Sequence, residues 1–275
     1  MYEPPLRHVK EQHGLLEIVR DTGSSNLGRF TIYVSLMNFS VYLAAPFFAV
    51  YMLRDLKFDY LAYVAVFATS SLANLMFLTF WGRRADRAGN IKVLRVTSIL
   101  FPLIPLLWIG SHQLYYLIPV QILSGFAWAG FTLASTNFLY DASAPENRTR
   151  CIALFNAING SAICLGALVG GLLAPHLPPV LGYGLLTLFL ISGLLRGVVA
   201  ATLLRHISEV RHVPEVSTAE LLLGRLDLRG LRLKTLSLPV LFVASRFKAE
   251  KLPSISRWDS ALVHELATAS RSPPL

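Results

Sequence analysis

Between Phe30 and Leu204 the chain carries six long apolar segments. No other feature restricts the fold as much, because in a bilayer only helices and closed barrels leave no backbone N–H or C=O without a partner. The segments read as Phe30–Leu53, Tyr60–Trp81, Val96–Ile109 (extended back toward Val93), Leu114–Tyr140, Cys151–Leu177 and Val180–Leu204. Most reach the ~20 residues that a helix needs to cross the hydrocarbon core. No strand alternation runs through them, which argues against a barrel. Only 15% of the 275 residues are charged, against about 25% in a soluble domain. The expected fold class is an all-α polytopic membrane protein with six transmembrane helices.

Orientation follows from Lys and Arg. There are 4 before Phe30, 5 in 82–95, 2 in 141–150 and 11 from Arg205 onward, against Arg54 and Lys57 on the opposite side. Positive charge is retained on the cytoplasmic face, so both termini are expected there, with the chain multi-pass in the cell membrane. The same bias accounts for the net charge of +9. It therefore gives no reason to invoke nucleic acid, for which the chain also has no motif.

Three regions follow: a basic cytoplasmic linker at 1–29, a six-helix transmembrane bundle at 30–205 and a cytoplasmic tail at 206–275, partly disordered. The head is polar and carries no cleavable signal pattern. In the tail, Leu226, Leu228, Leu231, Leu233, Leu236 and Leu238 alternate with polar residues. That stretch reads either as a small β element in a sticky tail or as a basic face against anionic headgroups. Cys151 and Cys164 lie about 13 residues apart on one helix, ~20 Å at 1.5 Å per residue, too far to bridge. No Cys/His cluster has metal-ligand spacing, and neither a metal nor another cofactor is expected.

The turn after the second segment reads Gly82-Arg83-Arg84-Ala85-Asp86-Arg87-Ala88-Gly89-Asn90-Ile91-Lys92. By composition it is either a generic positive loop or a place where Gly82 and Gly89 let the backbone turn tightly. In the second case Asp86 would meet the positive end of a neighbouring helix. The spacing Gly-x-x-x-Asp-Arg-x-Gly-x-x-Lys closely resembles the signature loop of the major facilitator superfamily. The resemblance implies a cytoplasmic latch built on Gly82, Arg83, Asp86, Arg87, Gly89 and Lys92. The stretch Asp141-Ala-Ser-Ala-Pro-Glu146-Asn-Arg148-Thr-Arg150 looks like the family's short loop before the fifth or eleventh span. Asp141, Glu146 and Arg148 would thus join the latch as a charge network. In the fifth segment Gly166-x-x-x-Gly170 permits close helix contact. It resembles the family's antiporter motif, except that Ala167 stands where that motif has proline.

Full transporters of the family have two six-helix bundles, each made of two three-helix repeats. This chain has one, and Asn38 to Arg54 resembles a seventh span, so residues 20–205 align with the carboxy-terminal half. Helical spacing adds stripes that the resemblance places around a solute cavity. These are Asn38 and Tyr42 in the first span, Tyr63 and Asn74 in the second, Gln121, Trp128 and Thr132 in the fourth, Asn156 and Asn159 in the fifth. The alternative use of the same groups is hydrogen bonding between helices. The six segments hold no Asp or Glu. Arg196 is their one deep cation, either snorkelling to the interface or facing the bundle as an anion or packing partner.

The expected function is transmembrane transport of a small-molecule solute by alternating access. The chain would act as one half, with the lipid bilayer and a second six-helix bundle as partners. The second bundle would be another copy or a separate amino-terminal half. The competing expectation is a truncated, non-transporting family member acting as a scaffold or remnant. An enzyme is disfavoured, because no span pairs a nucleophile with a base.

Overall fold

The computed structural model describes residues 25–211 apart from His112, and these are helical with no extended strand. The first span consists of α1 (Asn26–Tyr42) and α2 (Ala45–Val50), the latter running on through a π-helical turn at Tyr51–Asp55. The other five are α3 (Tyr60–Ala88), α4 (Asn90–Gly110), α5 (Leu114–Ala142), α6 (Arg148–Leu173) and α7 (Gly184–Leu203). All six spans are long and apolar enough to cross a membrane. The expected basic head, leucine alternation and disordered end lie outside the described residues.

Local chemistry sets the boundaries. The side chains of Ser25 and Asp59 accept from the N–H groups of Gly28 (3.1 Å) and Ala62 (3.0 Å), starting α1 and α3. The first span was expected to be continuous but breaks at Leu43–Ala44. The reason is Pro46, which has no N–H to give to the carbonyl of Tyr42 and clashes with it. The third span starts six residues before the expected Val96, at Asn90.

That early start changes the turn between the second and third spans. The helix-forming run Arg83-Arg84-Ala85 carries α3 on to Ala88, so Gly82 lies inside the helix and not at its end. The reversal is left to Gly89 alone, whose φ of 88° and ψ of 160° suit glycine.

Packing follows a repeated pattern. α1 runs along α6 and α3 along α5; α4 packs on α5 and α7 on α1; α4 and α7 pack on each other. Exchanging the first three spans with the last three reproduces these pairs, the expectation for two three-helix repeats. Glycine makes the close contacts in both equivalent pairs. Gly166 and Gly170 lie against the carbonyls of Phe39 and Leu43 in the α1–α6 pair, and Gly125 lies against the carbonyl of Ser70 in the α3–α5 pair. A Cβ at any of these would collide with backbone.

The core is aromatic, with Phe30, Tyr33, Trp81, Phe101, Phe138 and Phe189 fully buried. Their polar handles are used: Tyr33 and Ser98 join through their hydroxyls, and Trp81 Nε1 donates to the carbonyl of Phe126 at 2.8 Å. By contrast α3 and α6 bury only 11% and 6% of their most apolar stretch. Thr69, Ser71 and Ser161 on them turn their hydroxyls back to their own helix carbonyls. These faces can meet lipid or another apolar protein surface.

Candidate functional site

Two recesses open inside the bundle. One, about 300 Å³, lies between α1, α5 and α6 and is lined by Asn38, Trp128, Thr132, Ser135, Asn156 and Asn159 among others. It reaches Tyr140 and Ile152, near the α5–α6 loop. The second, about 230 Å³, is set deeper from that loop and includes Tyr42, Phe48, Ser70, Trp108, Gln121 and Arg196. Trp128 borders both.

Seven of the nine stripe residues singled out from the sequence line one recess or the other. The exceptions are Tyr63 and Asn74, both on α3. Tyr63 packs its ring on Tyr60 and Phe67, with centroids 5.7 and 4.9 Å away. Asn74 lies where α3 meets Gly125, its backbone nitrogen among the atoms nearest that glycine. Asn38 Nδ2 donates to Asn159 Oδ1 at 2.8 Å, joining α1 to α6 across the first recess. One amide group of each is used in that bond, and the other half of each remains.

The second recess has polar groups that are not so occupied. Gln121 and Ser124 are each only 7% exposed, yet among the described residues neither side chain makes a hydrogen bond. Ser135 in the first recess has a buried hydroxyl that is likewise unpartnered.

Arg196 faces the bundle and is 3% exposed, which resolves the two sequence alternatives in favour of the interior. Its Nε donates to Ser192 Oγ (3.1 Å), Nη1 to the carbonyl of Phe101 (3.2 Å) and Nη2 to that of Val41 (3.4 Å). Phe101 precedes Pro105 by four residues, so its carbonyl has lost its helical partner. Val41 stands beside the break made by Pro46, and Ser192 Oγ donates to the neighbouring carbonyl of Ser40 at 2.6 Å. α7 thus supplies donors to the carbonyl of Phe101, freed by Pro105, and to the carbonyls of Ser40 and Val41 at the break in the first span, that of Val41 also accepting from Ala44 N at 3.1 Å.

At the loop end of the bundle only Asp86 and Asp141 of the expected charge network share a partner, and it comes from a segment that sequence reasoning passed over. Residues 207–211, just beyond α7, fold back beneath the helices. Asn26 Nδ2 donates to the carbonyl of Ser208 (2.7 Å), and Ser208 N donates to Asn26 Oδ1 (3.0 Å). Arg211 lies 3.7 Å from Asp86 and 4.0 Å from Asp141. Asn90 Nδ2 donates to Asp141 Oδ2 at 3.0 Å. The start of α4 is met by Glu209, whose Oε2 accepts from Ile91 N at 2.8 Å, and not by Asp86.

The other latch residues are dispersed. Arg84 lies 3.5 Å over the Phe80 ring and Arg148 5.8 Å over Tyr140. Among the described residues the side chains of Arg83, Arg87, Lys92 and Glu146 make no hydrogen bond or ion pair. The signal for Glu209 was present in the sequence: a helix starting directly after a glycine has no side-chain cap of its own, and its N–H groups need an acid from elsewhere.

Comparison with known proteins gives one positive result. No curated protein matches the chain. The model of the Major Facilitator Superfamily matches residues 30–260, well over half of its length. With six helices able to span a membrane and two polar recesses between them, the chain is membrane-embedded and belongs to this transporter-type family.

Proposed function

We propose that the chain moves a small solute across the cell membrane by alternating access, as one six-helix half of a transporter, and is not an enzyme. A second bundle, either another copy or a separately encoded half, completes it by packing on the exposed faces of α3 and α6. Both termini lie in the cytoplasm, in keeping with the distribution of Lys and Arg. The observation that carries this reading is the unpartnered Gln121 and Ser124 side chains in a recess of a six-span bundle. Polar groups are expensive within a membrane, and their retention without a partner is economical only where water or solute enters.

The latch is proposed to act through weak, exchangeable contacts. Arg211 and Asp86 are 40% and 73% exposed, so their pairing contributes at most ~1 kcal/mol. That is enough to bias two conformations and too little to lock either.

The test is the native mass of the protein extracted gently from its membrane, with every co-purifying chain identified. A dimer, or a complex with another six-span chain, supports the proposal. A stable monomer overturns it and favours a scaffold.

A further inference from the structure

We infer that the second recess binds the carboxylate of a small organic anion, held by Arg196 with Gln121 and Ser124 beside it. This rests on the transport reading and names the class of solute.

The hydrogen bonds of Arg196 explain its donors but not its charge. Freed carbonyls need only N–H or O–H groups, and the hydroxyl of Ser192 already serves Ser40 without any charge. A guanidinium has five N–H donors. Three are used, leaving one on each terminal nitrogen, the number that a carboxylate takes in a fork.

No anion of the described chain is available to it. The acidic residues of 25–211 are Asp55, Asp59, Asp86, Asp141, Glu146 and Glu209, each at a helix end or in a loop. Arg196 is seven residues inside the end of α7, about 10 Å along the helix. A full positive charge without a counter-ion at that depth is costly, and a ligand anion in the adjoining recess would offset it.

The lining narrows the ligand further. Phe48, Phe67, Trp108 and Trp128 give the recess aromatic walls beside its polar groups. One cation beside about 230 Å³ bounded by rings suits a monocarboxylate with a compact apolar body. A divalent phosphate or sulfate would keep half its charge uncompensated.

The experiment uses the full chain in the assembly in which it is isolated. Acetate, lactate and benzoate are each compared with their amides, acetamide, lactamide and benzamide, following tryptophan fluorescence because Trp108 and Trp128 border the recess. At least one carboxylate is expected to give saturable quenching, with its amide at least tenfold weaker. Arg196→Gln should abolish the difference between them. If Arg196→Gln does not fold, the carboxylate and amide comparison on the unaltered chain still decides. Equal binding of acid and amide overturns the inference while leaving a solute-binding bundle intact. No binding of any carboxylate overturns it as well, and the mass of the assembly then judges the transport reading separately.

Discussion

Ser192 and Ser40 are joined by a hydrogen bond of 2.6 Å from the hydroxyl of one to the carbonyl of the other, across 152 residues of chain. The bond ties the sixth span to the point where the first span loses its own helical bonding. Ser192→Ala leaves that carbonyl buried without this donor, which costs ~1–3 kcal/mol. Thermal unfolding of the detergent-solubilised protein should show a lower midpoint. An unchanged midpoint would mean that water replaces the hydroxyl.

Gly170 and Gly160 are on the same helix and should respond oppositely. A Cβ at Gly170 would meet the carbonyl of Leu43, whereas nothing lies within 4 Å of one at Gly160. Gly170→Ala should separate α6 from α1 and destabilise by ~1–3 kcal/mol, as overpacking does. Gly160→Ala should be neutral or stabilise by up to ~1 kcal/mol through helix propensity. Comparing the two variants by thermal unfolding checks the glycine contact directly.

Asp86→Asn removes a charge from the Arg211 pair without removing its hydrogen-bonding capacity. Membrane insertion and yield should not change, because the pair is exposed and worth at most ~1 kcal/mol. A bias of that size alters a conformational equilibrium about fivefold, so the initial uptake rate in proteoliposomes should fall by several-fold. Unchanged uptake would remove Asp86 from the latch.

Gln121→Ala deletes an amide that makes no hydrogen bond within the described chain. Its effect on stability should stay within ~1 kcal/mol. The apparent affinity for a transported solute should weaken by about tenfold, the value of one hydrogen bond to a charged group. An effect confined to yield would assign Gln121 to packing instead.

The spans are legible in the sequence because length and apolarity alone decide what crosses a bilayer. The recesses are legible in part. A three-to-four residue step shows which side chains share a face, and it serves for Asn38, Gln121 and Asn159 because α1, α5 and α6 turn those faces inward. It fails for Tyr63 and Asn74 because Tyr63 stacks with Tyr60 and Phe67 on its own helix and Asn74 lies at the close contact of α3 with Gly125, pairings that helical spacing does not reveal.

The strap at 207–211 escapes periodicity altogether. Glu209 and Arg211 belong to no repeat and act by reaching backward to α4, Asp86 and Asp141. Their partners are 118 to 125 positions away for the first and second of these contacts. Pro46 could be read as a breaker from its chemistry. That the donors for the broken segment come from α7 depends on how the helices pack.

The interchange that exchanges the two halves of the bundle also acts on its hollows. The recess among the first, fourth and fifth spans maps onto the fourth, first and second, which enclose its counterpart. One motif, used twice, therefore borders two recesses set at different distances from the α5–α6 loop. Their walls and furnishing then diverge: paired amides in one, and in the other the third and sixth spans with a cation. Trp128 belongs to the walls of both, so replacing that one indole would reshape the two hollows at once.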